Sequence, residues 1–455
     1  MSDVRLIQGD CTTWEHDGPP FHALLCDPPY EVGFMGKSWD RSGVTFQPET
    51  WARLASHLHP GAFGMAFSSC RTVHRLMTAI EDAGLILHPV IFLWSFGSGF
   101  PKATRIDTQI DRAAGAEREQ GITRKAATKI MEHRPWNDRE SGSEFTETLP
   151  ATPLAATWQG HRYGLQAMKP AVEPVIVFQR PYQGKPYECI MATGAGALNI
   201  DGGRIGTRNT NESGWSKTGS KASLNRAMSG ANYAREPKDE IGTGRWPANL
   251  ILDDAAAERL GEQSENGAAR FFYQVDYQLE QAEPVFYCAK AARGERDAGC
   301  EGMEEREAFT LSGGECFAEG RIHAAGKGVG RNFHPTVKPL KLTRYLATLL
   351  LPPAEYAPRR ILIPFAGTFS EGIGAMLAGW EEVTGIEMEE EYCQLGRLRA
   401  QWWLDGMLRT HSSDPHAILN ACGKKGKAKQ DSPVHWPAES LFGNLEEAEC
   451  DVHEG

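Results

Sequence analysis

The chain contains 455 residues, 41% of them hydrophobic and 24% charged, and its 48 Lys and Arg against 59 Asp and Glu give a formal net charge of −11. This composition is typical of a soluble globular protein with a core large enough to need no metal or disulfide support. It contains no apolar run of the roughly 18–20 residues that a membrane helix needs, and residues 1–10 lack the order of a secretory signal, so we expect a cytoplasmic protein.

The ten cysteines are scattered, and no two of them stand in C-x-x-C spacing. We therefore expect reduced thiols rather than a zinc ribbon or finger. A more widely spaced zinc site, with Cys288, Cys300, Cys316, His323 and His334 as ligands, matches no known ligand spacing, so we predict no metal.

The acidic net charge is unevenly distributed along the chain. Residues 202–235 carry six basic side chains and one acidic, a net +5, and residues 321–360 carry eight basic and one acidic, a net +7. Seven Glu fall between residues 371 and 395, and six acids lie in residues 437–455. A charge run is often only a solvated face, but the Ser, Asn and Gly among the basic residues of 202–235 favour a loop region that contacts a polyanion.

Short apolar runs bounded by turn residues predict the strands of a buried, mostly parallel sheet. In the first part of the chain they lie at residues 4–7, 23–26, 62–68, 85–95 and 174–178. A helix with apolar residues at helical spacing is predicted over residues 73–83, and Gly84 ends it.

The order of sheet and helix is interrupted twice. Residues 101–160 are polar with little periodicity, which indicates an insertion, and residues 183–333 are rich in Gly, Asn, Ser and Arg, which indicates a separate loop-rich module. Strands then return at 360–364 and 383–386, with helices predicted at 340–351, 369–379 and 389–404. Residues 411–455 form a charged tail that we expect to be mobile.

The sharpest motif is Asp27-Pro28-Pro29-Tyr30, directly after the predicted strand at 23–26. The carboxyl end of a strand is where α/β enzymes place their chemistry. Because the prolines restrict the backbone, the Asp27 carboxylate and the Pro28 carbonyl can both accept hydrogen bonds from one amino group. Tyr30 offers a flat face on which a base can stack.

Two further motifs lie more than 300 residues downstream. The strand, small-residue turn and helix start at 361–372 can cradle a cofactor, because glycine lets a ligand approach the backbone. Glu387 ends the following strand, where an acid can accept hydrogen bonds from ribose hydroxyls. The third motif is His334-Pro335-Thr336-Val337-Lys338-Pro339, just before the predicted helix at 340–351.

Together and in this order, the three motifs resemble the amino-group DNA methyltransferases that use S-adenosylmethionine, in the permuted form common in phages and prophages. The resemblance covers residues 3–100, 160–205 and 330–405. It implies an α/β, Rossmann-like methyltransferase fold with a mostly parallel sheet, interrupted by an irregular target-recognition module. Residues 1–182 would form the catalytic half, 183–333 the recognition module and 334–410 the cofactor-binding half.

The resemblance also implies roles for individual residues. The D-P-P-Y form, more usual in N6-adenine than in N4-cytosine enzymes, implies methylation of adenine N6 in a flipped-out base of double-stranded DNA. The catalytic residues would be Asp27, Pro28, Pro29 and Tyr30. Cofactor contacts would come from Asp10, Thr336, Lys338, Phe365, Gly367 and Glu387. The stretches at 169–170, 173–174 and 194–201 are similar to phage members without an assigned role.

Such an enzyme would work in a bacterial or phage-infected cell, in restriction-modification or a related system, with a homodimer as one alternative for its assembly. We expect target contacts from the basic segment 202–235, with Trp215 and Tyr233 as wedges. The DNA-binding residues predicted there are Arg204, Arg208, Lys217, Lys221 and Arg226.

The cofactor turn departs from the family pattern D-P-F-x-G-S-G at two positions, where Ile363 replaces the acid and Phe369 the second glycine. We expect the Phe369 ring either to shield or to crowd the methionine end of the cofactor. Two alternatives therefore stay open. One is an N4-cytosine enzyme, and the other is a DNA-binding protein whose cofactor site has decayed.

Overall fold

The structure is a computed structural model. It describes residues 2–33, 38–96, 101–125, 144–205, 245–264, 268, 272–274, 291, 293–309 and 327–422. The chain divides into two compact units: a sheet unit of residues 1–97, 172–304 and 334–455, and a second unit of residues 98–171 and 305–333. Most of the basic segment 202–235, including Arg208, Lys217, Lys221 and Arg226, lies outside the described residues, as do Trp215 and Tyr233.

Sixteen strands are described. In chain order they are β1 (Asp3–Gln8), β2 (Phe21–Cys26), β3 (Leu58–Phe67), β4 (Ile86–Leu87), β5 (Phe92–Ser95), β6 (Lys102–Arg105), β7 (Gln120–Lys125), β8 (Glu144–Thr148), β9 (Arg162–Gln166), β10 (Val172–Gln179), β11 (Leu250–Leu252), β12 (Tyr273–Gln274), β13 (Arg306–Phe309), β14 (Lys327–Gly330), β15 (Arg360–Pro364) and β16 (Glu382–Glu387).

Eleven α-helices are described as well. They are α1 (Pro48–Ser56), α2 (Val73–Asp82), α3 (Ile106–Ala113), α4 (Pro153–Thr157), α5 (Pro186–Thr193), α6 (Asp254–Glu262), α7 (Arg293–Asp297), α8 (Leu340–Leu350), α9 (Ser370–Ala378), α10 (Glu390–Thr410) and α11 (Pro415–Cys422). Within the described ranges, none of them is both long enough and apolar enough to cross a membrane.

The sheet unit contains one large sheet with the strand order β1-β16-β15-β2-β3-β10-β5-β11-β12, and β4 pairs with β10. Strands β1, β16, β15, β2 and β3 run parallel, whereas β10 is antiparallel to both β3 and β5. This is a mostly parallel, Rossmann-like α/β sheet, so the predicted α/β fold class is confirmed.

The strand order reverses between β15 and β2. From β15 the chain proceeds outward through β16, whereas from β2 it proceeds outward through β3 on the other side. Ligands of open α/β sheets bind in the crevice at the carboxyl ends of the strands at such a switch point. The two principal sequence motifs each follow one of the strands that flank the switch point, with 27–30 after β2 and 365–372 after β15.

The sheet incorporates part of the segment expected to be a separate module. Within 183–333, β11 pairs in parallel with β5, with Ile251 opposite Trp94, and Ile251 is fully buried. Within the expected tail, α11 buries Ile418 against Gly406 of α10. The division of the chain therefore differs from the boundaries expected from composition.

The second unit contains the segment expected as an insertion, 101–160. Its strands form two-stranded antiparallel pairs, β6 with β9, β7 with β8 and β13 with β14. Asp111 is buried there and accepts hydrogen bonds from Arg118 and from the backbone amides of Ala151 and Thr152 at 2.5–3.0 Å. Because a buried carboxylate needs such partners, these contacts tie α3 to Arg118 and to the start of α4.

The Phe369 ring lies in the hydrophobic core and does not line the cofactor turn. It is 0% exposed, in the left-handed conformation at φ 66°, and it packs against Gly372, Gly385 and Gly396, where any side chain would collide with it or with Leu6. The expectation that this ring shields or crowds the cofactor is therefore wrong, because the three glycines leave space for the ring within the hydrophobic core. Ile363 is likewise fully buried in β15.

We expect Gly385→Ala to lower the free energy of unfolding by about 1–3 kcal/mol, the usual cost of overpacking a filled core. A Cβ at Gly385 would lie 2.8 Å from Cδ1 of Leu6 and closer still to the Phe369 ring. The matched control is Gly261→Ala in α6, where a Cβ meets nothing within 4 Å. Urea denaturation monitored by circular dichroism would measure both. A stability unchanged in Gly385→Ala would contradict this packing.

Candidate active site

A cavity of about 200 Å³ lies at the carboxyl ends of β1, β2, β15 and β16. Its lining includes seven of the predicted catalytic and cofactor residues, Asp10, Asp27, Pro29, Thr336, Phe365, Gly367 and Glu387. The parallel register explains this convergence. Gln8 lies opposite Glu387 and Ile361 lies opposite Ala23, so the residues that follow these strands meet at one edge of the sheet.

The turn after β15 is tied to the end of β16. The Gly367 amide donates a hydrogen bond to Oε2 of Glu387 at 2.6 Å, and the Glu389 amide donates to Oε1 at 2.9 Å. Gly367 has φ 51°, and a Cβ there would lie 3.1 Å from the His334 ring, which explains the glycine. Burial raises the pKa of Glu387, although both amides favour the carboxylate. Each carboxylate oxygen keeps a lone pair for a ligand hydroxyl.

Asp10 stands at the mouth of the same cavity. Its Oδ1 accepts hydrogen bonds from the amide and the hydroxyl of Thr12, both at 2.8 Å. The Gly9 amide donates to the Glu387 carbonyl at 2.8 Å, which fixes this loop beside β16. The exposed Asp10 carboxylate is thus oriented and still able to accept a hydrogen bond from a ligand.

The Asp27–Tyr30 segment is held by hydroxyl groups from neighbouring elements. Thr45 donates to the Pro29 carbonyl at 2.7 Å, and Thr72 donates to the Tyr30 carbonyl at 3.0 Å. The buried Asp40 carboxylate accepts from the Glu31 amide at 2.8 Å. With these bonds and its two prolines, the segment is rigid before any ligand binds.

The two oxygens of Asp27 have different surroundings. Oδ2 lies 2.9 Å from Nζ of Lys338, whereas Oδ1 is buried and accepts no hydrogen bond. Burial raises the pKa of Asp27, and Glu173 raises it further, while Lys338 opposes the shift. An unpaired buried acceptor is costly, and it marks a position where a ligand N–H would be stabilised.

Lys338 joins Asp27 to two other residues. Its Nζ lies 3.0 Å from Oε1 of Glu173 and 3.0 Å from the Tyr30 hydroxyl, and that hydroxyl donates to the same Glu173 oxygen. Burial disfavours the charge on Lys338, but Asp27 and Glu173 outweigh it and raise its pKa. The pKa of the Tyr30 hydroxyl is raised strongly by burial and by the same carboxylates, so the phenol stays protonated.

These contacts change the role predicted for Lys338. It was expected to contact the cofactor, but its side chain ends in the Asp27–Glu173–Tyr30 cluster and does not line the cavity. Glu173 was noticed in the sequence only as part of an unassigned Glu-Pro pair. No sequence signal links Glu173 to Asp27. Glu173 lies 143 residues downstream of Tyr30, and it reaches this cluster only because β10 pairs with β3 in the sheet.

Three aromatic rings line another part of the cavity. His334 stacks on Trp39 with ring centroids 6.3 Å apart at 12°, and Tyr392 meets His334 edge-on at 4.5 Å. Thr336 donates its amide to Nδ1 of His334 at 3.3 Å. The motif at 334–339 thus contributes to the cavity through His334 and Thr336. Trp39 and Tyr392 were not predicted.

Several basic side chains of the two positively charged segments form ion pairs with acids of the same chain. Arg204 pairs with Asp201 at 2.7 Å and lies over the Trp246 ring. In 321–360, Lys338 is in the active-site cluster, and Arg359 and Arg360 pair with Glu381 and Glu382. The net +7 of residues 321–360 therefore does not form a basic surface at these side chains, since they pair with acids within the sheet unit. Among the described residues, no His, Cys, Asp and Glu cluster could hold a metal.

Replacement of Lys338 by Met should lower the free energy of unfolding at pH 7 by about 3–5 kcal/mol, because it leaves Asp27 and Glu173 as buried, uncompensated carboxylates. In the variant, burial would raise the pKa of Asp27 above its value in the unfolded chain, with no Lys338 charge to oppose the shift. The loss of stability should therefore shrink as the pH falls from 7 to 5, where the folded state takes up protons.

Urea denaturation at several pH values would measure this, with exposed Lys185→Met as the control. A loss that did not change between pH 7 and pH 5 would contradict the ion cluster.

No protein-family model matches the sequence, and no curated protein matches it significantly. Among solved structures, the chain is similar to a complex of M1.HpyAVI with SAM, at 12% identity and a TM-score of 0.33 over 87% of this chain and 99% of that one. It is also similar to PvuII DNA methyltransferase (cytosine-N4-specific), at 12% identity and 0.37 over 92% and 94%. A third is TTHA0409, a putative DNA modification methylase from Thermus thermophilus complexed with S-adenosyl-L-methionine, at 11% and 0.33 over 89% and 95%. Similarities this distant do not establish the fold class, which is based on the strand order described above.

Proposed function

We propose that this protein is an S-adenosylmethionine-dependent DNA methyltransferase that modifies an exocyclic amino group, with adenine N6 as the preferred target. One observation carries the proposal. At the switch point of the sheet, Oδ1 of Asp27 is a buried acceptor without a donor, and Asp27 lines the cavity that Glu387 and Asp10 also line. A target amine would supply the missing donor.

The cavity fits the nucleoside part of the cofactor. The Glu387 carboxylate would accept hydrogen bonds from the ribose hydroxyls, and Asp10 would accept one from the adenine amino group. The Gly367 turn, with no side chain, would allow the cofactor to approach the backbone. When bound, S-adenosylmethionine supplies an electrophilic methyl group on a sulfonium sulfur.

The residues around Asp27 would prepare the target amine. Asp27 and the Pro28 carbonyl would each accept a hydrogen bond from one N–H of this amine, which favours a pyramidal nitrogen with its lone pair free to attack. The nitrogen would lose a proton after the transfer. Tyr30 would stack on the flipped base, an interaction worth about 1–3 kcal/mol. Lys338 would keep Asp27 ionised and Tyr30 in place, so it acts through these two residues and is a positioning residue.

A cysteine nucleophile, as in carbon-5 cytosine chemistry, is disfavoured by the same cavity. Cys11 lines it, and burial together with Asp10 raises the pKa of this thiol to about 12. Because the thiolate is the reactive form, Cys11 would be unreactive near neutral pH.

Two observations bear on the alternatives. The buried position of Phe369 removes the main reason to infer a decayed cofactor site. The N4-cytosine alternative remains, because Asp27 could hold the amino group of either base. Mass spectrometry of nucleosides from DNA of expressing cells would distinguish N6-methyladenine from N4-methylcytosine.

We expect Asp27→Ala and Tyr30→Ala to abolish methylation without unfolding the protein, because they remove the amine acceptor and the stacking face. Asp82→Asn, an exposed acid in α2, is the matched control and should keep full activity. Transfer of labelled methyl groups to DNA and circular dichroism would measure both properties. Near wild-type turnover in either Ala variant would refute the proposed function.

We propose that the basic residues of 202–235 other than Arg204, which pairs with Asp201, contact DNA phosphates. Replacing Arg208, Lys217, Lys221 and Arg226 together by Gln should weaken DNA binding and make the dependence of log K on log salt less steep by about 0.9 per lost contact. Arg204→Gln is the control, and it should change this slope little because Asp201 already pairs with Arg204. Fluorescence anisotropy at several salt concentrations would measure this. An unchanged slope in the fourfold variant would show that DNA binds elsewhere.

A further inference from the structure

A second buried carboxyl group lines the cavity and is not used by the proposed mechanism. Glu371 lies in the first turn of α9, is only 3% exposed and lines the cavity. Its Oε1 is buried and accepts no hydrogen bond. Like Asp27 Oδ1, it is a buried acceptor without a donor, and it belongs to a residue that lines the cavity, where a ligand can supply the donor.

The helix that carries Glu371 is fixed by close packing. Gly374 of α9 lies against α8, where a Cβ would be 2.7 Å from the Arg344 amide nitrogen. The Thr343 hydroxyl donates to the Ser370 carbonyl at 3.1 Å. The backbone of α9 at Glu371 is therefore held in place beside the cavity, independently of any ligand.

Three charged groups from other elements face Glu371. Asp27 after β2 disfavours its charge, whereas Lys338 and, more weakly, Arg399 of α10 favour it. Arg399 is itself directed to the cofactor turn, where it donates to Thr368 and to the Ser370 hydroxyl. Burial and the Asp27 charge together raise the pKa of Glu371 to about 7. Its ionisation near neutral pH is therefore sensitive to any added charge.

The cavity as a whole is acidic. Asp10, Asp27, Glu371, Glu387 and Glu389 line it, and no Lys or Arg does so among the residues that the structure describes. Such a lining favours a cationic ligand over a neutral one of the same shape. The reactant and the product of the proposed reaction differ in this respect, because methyl transfer converts the cationic sulfonium into a neutral thioether.

We propose that ionised Glu371 lies beside the sulfonium of S-adenosylmethionine and makes the site prefer this cofactor over its product, S-adenosylhomocysteine. The inference rests on the proposed function. Direct transfer requires the amine nitrogen, the methyl carbon and the sulfur to be in line and close together. The sulfur must then lie near the amine that Asp27 holds. Glu371 lines the same cavity and interacts electrostatically with Asp27, so it is the unpaired carboxyl group that we assign to the sulfonium.

This assignment couples cofactor binding to a proton. A cation beside Glu371 favours its ionised form, so binding of S-adenosylmethionine releases a proton wherever Glu371 is still protonated. The affinity for S-adenosylmethionine should therefore rise between pH 6 and pH 8 and level off above. The affinity for S-adenosylhomocysteine should rise less, because its sulfur carries no charge.

Calorimetric titration with both nucleosides at pH 6, 7 and 8 would test this in the full-length protein, in Glu371→Gln and in Glu390→Gln. Glu390 is the matched control, because it is an exposed first-turn glutamate of α10 that does not line the cavity. Glu371→Gln should lose about tenfold of the preference for S-adenosylmethionine at pH 8, together with its pH dependence. Glu390→Gln should keep both.

Three outcomes would overturn the inference. Equal losses for both nucleosides in Glu371→Gln would place the carboxylate at the α-ammonium group, which they share. Unchanged binding of both would give it no ligand at all. If Glu371→Gln does not fold, a wild-type preference that stays constant from pH 6 to pH 8 would overturn it. By contrast, a wild-type protein that binds neither nucleoside would refute the proposed function itself.

Discussion

The ion pairs of the buried Lys338 ammonium are the interactions on which the candidate active site depends. The ammonium lies 2.9 Å from Asp27 and 3.0 Å from Glu173, so one cation compensates two carboxylates that the sheet brings together. Buried carboxylates without a cation would protonate, and a protonated Asp27 would be a poorer acceptor for an amine. The cluster also fixes the Tyr30 hydroxyl. Charge state and geometry at the Asp27–Tyr30 motif thus have one common cause.

The fold makes this arrangement possible by placing distant segments side by side. The motif at 27–30 and the turn at 365–372 are separated by more than 330 residues, yet they follow strands that are neighbours in the sheet. The parallel register then places their side chains at one edge, with Asp10 and Glu387 from the adjacent pair of strands. The intervening chain adds β11 and β12 to the far side of the same sheet, away from this edge.

The sequence predicted the parts of the site that local pattern determines. Asp27, Gly367 and Glu387 stand at or just after the ends of short apolar runs that the sequence identifies as strands, and all three residues line the cavity. The sequence could not predict Glu173 or Glu371. Their importance comes from an electrostatic environment built by other elements, which periodicity does not contain. Lys338 was recognised within its motif, but its partner could not be, because a long side chain can reach either the cofactor or the neighbouring strand.

The side chain of Phe369 could not be placed from the turn alone, because two of the three glycines around it, Gly385 and Gly396, lie on later elements. A phenylalanine at a position that usually holds glycine is acceptable only because glycines occupy positions 372, 385 and 396 around it. The extra volume of the phenylalanine side chain is accommodated by the missing side chains at these three positions, which lie on a helix, a strand and a second helix. Any search that demands the glycine in the turn would reject this chain, whereas one that scores all four positions jointly would accept it. Sequences with the same exchange can therefore be sought by the correlated absence of side chains at those three positions.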